Sequence, residues 1–328
     1  MKCIPVVIAI ALLTQLIPAA RAEDITVATY NVENFRQHFL AHKLSTSRPS
    51  WLPRNDPQAT EMLDELRSAN DKDNWEVSQV ILDPKFFPDV LVIQEGCNES
   101  DLKFFANRWL QNKYETVMVF PTNTEREQNL EMLVKPGFKV LDRKDQYFKE
   151  PDSEMNERGN KLFARGPAFV LIQSPGGYKF WVGTNHQKSK SGNSVDVTKW
   201  RNREAKRTHQ IIKELEKQGP DDVIFLGDMN DELGIQQYEL EGGGDVITNL
   251  IGAPEDGITL ATKPLADAGQ NSYGGYWRTD HRSFIDHVFV TSGMKNQIQK
   301  VEVFHNDFTN EASDHFPVLV HLKADPPK

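Results

Sequence analysis

The chain has 328 residues, a formal net charge of −9 and two cysteines. Two cysteines exclude a disulfide-stapled scaffold, so stability must come from a packed core. The acidic balance excludes holding nucleic acid by bulk attraction, and any phosphate-bearing ligand must be gripped locally, by a metal ion or a few Lys and Arg.

Lys2, the apolar run over 4–19 and Ala20-Arg21-Ala22 form the pattern of a secretory signal peptide, residues 1–22. The apolar run is too short for a membrane span and is followed directly by a cleavage pattern, and no other stretch reaches membrane length, so membrane insertion is not expected. The mature chain, 23–328, is read as one domain, exported to the periplasm or beyond. Loss of Lys2 and Arg21 takes its net charge from −9 to −11, and loss of Cys3 leaves Cys97 alone.

In chain order, a strand is predicted over 25–30, a surface loop over 36–58 with Trp51 and Pro53 as local anchors, and helices over 59–67 and 74–82. A strand over 89–94, a helix over 99–110 and strands over 115–120 and 130–134 follow. The charged, poorly patterned 142–160 reads as a long surface loop. Strands over 162–172 and 179–185 precede a helix over 198–218. That helix has Thr208, Ile211, Ile212 and Leu215 on one stripe and stops at Gly219-Pro220. Strands over 222–227, 284–290, 298–304 and 315–322 complete the chain. No repeat or domain linker interrupts it. The mixture predicts one α/β unit of packed sheets with helices outside.

Polar clusters sit at the strand ends. TVATYNVENF puts Asn31 and Glu33 after an apolar run, and DVLVIQEG ends on Glu95. FWVGTNHQKSK carries His186 and Lys188, FLGDMND carries Asp228 and Asn230, FIDHVFV opens near Asp286, and SDHFPVLV carries Asp314 and His315. In an extended chain, i and i+2 point to one side, so Asp228 and Asn230 are expected to face one point. Each cluster alone has a bland reading as a turn or a solvated end. A calcium loop starting at Asp228 is rejected, because Leu233 stands where its glycine is required and a strand, not a helix, precedes it. Six clusters on six strands point to one cleft. Carboxylate and amide oxygens without a Cys or His cage favour Mg²⁺ or Mn²⁺, with Ca²⁺ admissible, over zinc.

These segments, in this order over about 25–322, resemble the endonuclease/exonuclease/phosphatase superfamily, which includes secreted deoxyribonucleases, abasic-site endonucleases, neutral sphingomyelinases and inositol-polyphosphate phosphatases. The NHxKS variant is similar to that of bacterial secreted members. The resemblance implies a four-layer α/β/β/α sandwich with the site at one rim. It implies metal positions at Asn31, Glu33, Glu95 and Asp314, and catalytic positions at His186, Asp228, Asn230, Asp286 and His315. Thr184 stands where many members have Asn, with Asn185 adjacent as a substrate contact. Lys188 and Arg165 could grip phosphate, although Arg165 also reads as a surface charge before a turn. The loop SYGGYWRTDHRSF, 272–284, offers Trp277 and Arg278 for base stacking and phosphate contact, or packs as a Gly-hinged surface loop. The implied activity is that of a secreted metal-dependent phosphodiesterase, a nuclease first, with a phosphatase or sphingomyelinase-like enzyme as the alternative. A non-catalytic binder is disfavoured, since no expected carboxylate or histidine is missing. The expected partner is a phosphate-ester substrate, with the protein a monomer needing no obligate protein partner.

Overall fold

Strands β1 (Glu23–Asn31), β2 (Val90–Gly96), β3 (Thr116–Phe120), β4 (Asn129–Val134), β5 (Lys139–Lys144), β6 (Pro151–Asn156) and β7 (Gly159–Lys161) make up the first half of the chain. Strands β8 (Ala168–Gln173), β9 (Lys179–His186), β10 (Val223–Asp228), β11 (Thr259–Leu260), β12 (Asp286–Val290), β13 (Ile298–Val303) and β14 (Val318–Ala324) follow. The helices used below are α1 (Leu40–Thr46), α2 (Pro57–Ile81), α3 (Glu99–Arg108), α4 (Val195–Gln218), α5 (Gln237–Glu241) and α6 (Val246–Ile251). This computed structural model describes residues 22–46, 56–124, 126, 128–156, 159–190, 194–220, 222–274 and 282–324. The signal-like segment, Trp51 and Pro53 lie outside those residues. None of the described helices is long and apolar enough to cross a membrane.

Two six-stranded sheets form, ordered β13-β14-β1-β2-β4-β3 and β11-β12-β10-β9-β8-β5. Their plans are the same: one parallel pair near the centre, β1 with β2 or β10 with β9, and antiparallel neighbours elsewhere. Alternation of side chains across each strand separates three cores. Val27, Val92, Val182, Leu226, Val288 and Val320 fill the space between the sheets. Ala28, Tyr30, Leu91 and Ile93 face outward onto Val77, Val80 and Ile81 of α2 and Leu102 and Phe105 of α3. Phe169, Trp181, Phe225 and Phe289 face the other way onto Ile211, Ile212 and Leu215 of α4. The layers are helix, sheet, sheet, helix, as the sequence reading expected. Truncating one of these rings, such as Phe225→Ala, would cost roughly 3–5 kcal/mol.

Three expectations are corrected. The helices expected over 59–67 and 74–82 are one, α2. Its polar middle does not break it, because Asn70 Oδ1 accepts the Ala41 N–H (2.9 Å) and Asn74 Nδ2 donates to His38 O (3.0 Å). The loop expected from 36 instead begins with a 3₁₀ turn, Phe35–Phe39, and α1. The loop expected over 142–160 contains the end of β5 and the β6–β7 hairpin. Ion pairs from Arg203 to Asp152 (2.7 Å) and from Arg207 to Glu150 (2.8 Å) hold that stretch to α4, a long-range cause that local patterning does not carry.

Candidate active site

In each sheet the two parallel strands end on the same rim. Register does the first part of the assembly. Asp228 at the end of β10 is paired laterally with His186 of β9 on one side and Asp286 of β12 on the other, and directly paired residues share a face of the sheet. The glycine of FLGDMND permits this approach: a Cβ on Gly227, at φ +157°, would lie 2.1 Å from the Asn185 carbonyl oxygen. From the other sheet, β1 ends at Asn31 and β2 delivers Glu95. The chain then turns sharply, with left-handed φ values at Glu33 (42°), Asn34 (54°), Glu95 (57°) and Asn230 (49°). Such conformations cost of order 1–3 kcal/mol each and cluster at functional sites.

Asp228 is the hub. Its Oδ2 accepts Asn31 Nδ2 (3.1 Å) across the sheets, accepts Asn230 Nδ2 (3.2 Å), and lies 3.3 Å from His186 Nε2. Its Oδ1 accepts the Asn230 N–H at 2.8 Å. Asp228 and Asn230 therefore do converge, but through the left-handed turn at Asn230 rather than through an extended chain. Glu95 Oε2 accepts the Asn34 N–H (2.8 Å), and Glu95 Oε1 lies 4.0 Å from His186 Nε2. His315 Nδ1 meets Asp286 Oδ2 at 2.8 Å, and its Nε2 is 3.9 Å from both Asp228 Oδ2 and Asp314 Oδ1. Below this layer, Thr29 Oγ1 donates to Gln94 Oε1 (2.9 Å) and Gln94 Nε2 donates to Thr184 Oγ1 (3.0 Å), all three residues being buried. The cleft above encloses about 540 Å³.

The two histidines take opposite charge states. Burial, with the charges of Arg165 and His315 added, holds His186 well below its ordinary value, so it is a neutral imidazole. Its contacts put the proton on Nε2, facing the cleft. Burial would also discharge His315, but the charge and hydrogen bond of Asp286, then Asp228 and Asp314, push it up to about 10, so it is a cation at neutral pH. Burial pushes the Asp228 carboxyl up to about 7, with His315 pulling the other way. A carboxyl poised near the working pH suits exchange of a proton with water.

The sequence pattern of the endonuclease/exonuclease/phosphatase family matches residues 28–315. The chain belongs to this family. Phosphoesterases and nucleases make it up, which places the protein in a hydrolase superfamily. No curated protein sequence matches the chain. Among solved structures, truncated TDP2 from Caenorhabditis elegans is 15% identical, with 92% of this chain and 98% of that chain covered at a TM-score of 0.57. A family protein from Bacteroides thetaiotaomicron is 16% identical, covering 93% of this chain and 99% of that chain at 0.57. TDP2 from D. rerio, complexed with a single-strand DNA product, is 14% identical, covering 91% of this chain and 98% of that chain at 0.51. At these identities the likeness shows the fold, an α/β/β/α sandwich.

Against the family pattern, Glu33, Glu95, His186, Asp228, Asn230, Asp314 and His315 all line the cleft, with Asn31 and Asp286 directly behind. Arg165 lines it too, and its Nη2 donates to Gln128 Oε1 at 3.2 Å. Lys188 turns aside: its Nζ donates to Ser189 O (3.3 Å) and lies 5.9 Å from the Trp200 ring centroid. Lys190, two residues on, is the lysine at the cleft. Asn185 is buried, with Nδ2 on Gln187 Oε1 (2.9 Å). Trp277 and Arg278 lie outside the described residues. The base of their loop is fixed, since Gly274 N donates to Asp314 O (3.0 Å) and the Tyr273 ring packs edge-on against His315 at 4.9 Å.

A hard divalent cation fits the donor set. Among the described residues no three His, Cys, Asp or Glu side chains close into a ready-made cage. Mg²⁺ does not require one, because it keeps several waters and takes one or two carboxylates plus substrate oxygens. Glu95 and Asp314 are each partly open to the cleft, with side chains 17% and 19% exposed.

Sequence reasoning passed over Lys190, Gln128, Asp231, Arg201 and Glu204. The last two had a signal. Extending the stripe of Thr208, Ile211 and Leu215 backwards by three and four residues reaches Glu204 and Arg201, charges on a face that must be buried.

Proposed function

We propose that the protein is an exported, divalent-metal-dependent phosphodiesterase, and a nuclease in first place. The observation that carries this reading is the meeting of Glu95, His186, Asp228 and His315 in one cleft, in a chain of this family. Hydrolysis of a phosphate diester needs on the order of 20 kcal/mol of barrier reduction. Glu95, with Glu33, Asn31 and Asp314, would hold Mg²⁺ or Mn²⁺, which would supply positive charge to polarise the phosphoryl group. The remaining work falls to the chain itself. Asp228 orients the attacking water and takes its proton as the new P–O bond forms and the P–O bond to the leaving group breaks, the leaving alkoxide being protonated by solvent. The His186 Nε2–H and cationic His315 donate to the phosphoryl oxygens as negative charge grows on them. Asp286 keeps His315 charged and correctly turned. Asn230 fixes Asp228 and donates to the phosphate when the substrate displaces its bond to Gln187 O.

The single-strand DNA product bound by the D. rerio relative supports a nucleic-acid substrate, as do the aromatic rings of Tyr238 and Tyr273 at the cleft. The test is a panel of single- and double-stranded DNA, RNA, sphingomyelin, inositol phosphates and a phosphomonoester, with Mg²⁺ or Mn²⁺. Nucleic acid should be cleaved fastest, and less so as salt rises. Sphingomyelin or a phosphomonoester outrunning every nucleic acid would transfer the site to the sphingomyelinase-like or phosphatase reading. Sequencing the N-terminus of the protein from its host should find Glu23; an intact Met1 in the cytoplasm would end the export proposal.

A further inference from the structure

No side chain of α4 lines the cleft, yet α4 buries an arginine and a carboxyl directly behind it, Arg201 at 2% exposure and Glu204 at 1%. Taking a polar or charged group out of water costs several kcal/mol even after relaxation, so such a group persists only with partners. Both have them, although burial still pushes the Glu204 carboxyl up to about 7. The Arg201 guanidinium donates through Nη1 to Lys188 O and through Nη2 to Asn230 O (3.0 Å), and pairs with Asp231 Oδ2 at 3.1 Å. Asp231 is anchored in turn by the Val246 N–H of α6 (2.8 Å) and by Lys190 Nζ (2.5 Å). One turn further along, Glu204 Oε1 accepts the Ala164 N–H (2.7 Å), and Oε2 accepts Gln187 Nε2 (2.8 Å) and the Lys188 N–H (3.3 Å). Two side chains of one helix thus hold the backbones of the segments that carry Arg165, His186 and Asn230.

We propose that Arg201 is a positioning residue whose planar guanidinium locks the chain after His186 to the chain after Asp228, and so sets the approach of the His186 ring to the Asp228 carboxylate. This rests on the phosphodiesterase reading only for its catalytic consequence. The residue type suits the task. Arginine presents several N–H groups in a fixed fork, so one side chain reaches acceptors on two segments at once; lysine offers a single nitrogen on a flexible stem. The two segments are otherwise joined at this level by the Gln187 N–H to Asp228 O bond (2.9 Å) and the Asn230 Nδ2 to Gln187 O bond (3.1 Å), and both depend on the register that Arg201 fixes.

The test compares Arg201→Met and Arg201→Lys with the wild type in the full mature chain. Turnover of a small phosphodiester with Mg²⁺ or Mn²⁺ should fall by at least ~10-fold in both variants while KM stays within ~3-fold, because alignment is lost rather than contact with substrate. Lysine keeps the charge and so the fold, which separates alignment from stability if the methionine variant does not fold. Amide hydrogen exchange gives a readout that needs no activity. Gln187, whose N–H bonds Asp228 O across the two segments, should exchange at least ~10-fold faster in both variants, while Ala28 and Leu319 in the other sheet keep wild-type protection. Wild-type turnover in a folded variant, or unchanged protection at Gln187, overturns the proposal. A wild-type protein that hydrolyses no phosphodiester overturns the functional reading instead, and the exchange experiment still decides whether Arg201 joins the two segments.

Discussion

In one sheet the polar groups of the cleft hang on left-handed residues, Glu33, Asn34 and Glu95, with a buried carboxyl, Glu131, behind them. In the other, His186 and Asp228 stand on adjacent strands in lateral register, backed by the ion pairs of α4. The first arrangement is set by main-chain bends. Glu131 Oε1 accepts the Cys97 N–H at 2.5 Å, just past Glu95, while its Oε2 is buried without a hydrogen-bond partner. The second arrangement is set by side chains of α4, the Arg201–Asp231 ion pair and the Glu204 carboxyl, which burial pushes up to about 7. The contrast teaches that one cleft can be held on one side by bends of the main chain and on the other by buried side chains reaching in from a helix behind the sheet.

The sharpest way to test that division is to strike the hub where both halves meet. Asp228→Asn, His186→Ala and His315→Ala should each lower turnover by at least ~10²-fold with the circular dichroism of the fold intact, since each touches charge that develops during reaction. A near-normal rate in any of them removes that residue from the chemistry.

The next effect belongs to the first sheet alone. Activity should vanish in EDTA and return with Mg²⁺ or Mn²⁺. Glu95→Gln should raise the metal concentration for half-maximal rate by at least ~10-fold, because a hard cation loses its main anionic oxygen. Full activity in EDTA would remove the metal from the account.

The buried carboxyl of the first sheet, Glu131, gives a stability effect with a definite sign. Burial raises the Glu131 carboxyl from 4.5 to about 8. A carboxyl raised on folding contributes its stability in full below its unfolded value and loses it as pH rises through its folded value. The wild type should therefore lose stability relative to Glu131→Gln between about pH 4.5 and pH 8, by no more than ~1.4 kcal/mol per pH unit. The amide can accept the Cys97 N–H as before. Parallel urea-denaturation midpoints across that range would contradict the assignment.

The smallest expected effect is Trp277→Ala, a few-fold loss on nucleic acid with a small diester untouched. Equal loss on both substrates makes the loop structural.

Much of this site was legible because its residues come in short contiguous pieces. GDMND, QEG and SDHFPV each combine an apolar strand with the polar end that the strand delivers, so reading the strand located the group. The opposed sheets followed from the resemblance that those pieces carried. What escaped was what depends on distant partners. The continuity of α2 rests on side chains that bond another segment, and the β6–β7 hairpin is held by arginines of α4 far along the chain. Lys188 and Lys190 are equivalent on paper, and only the packing of Trp200 against the first and of Asp231 against the second separates them.

The bond from Asn31 to Asp228 and the chain Thr29–Gln94–Thr184 join the sheets beside the cleft, and Glu23 with Ser174 and Gln297 with Asp222 join them at the opposite end, across a gap filled by apolar side chains. Apolar contact resists separation but has no preferred register, so it opposes slippage of one sheet over the other only weakly. A slip of about 1 Å would leave every strand ladder intact, yet misalignment of that size at a reacting centre is enough to cost on the order of 10²-fold in rate. The molecule therefore behaves as a vernier whose fine scale is those few polar bonds. Under rising urea or hydrostatic pressure its activity should fade while its far-ultraviolet dichroism is still that of the native protein.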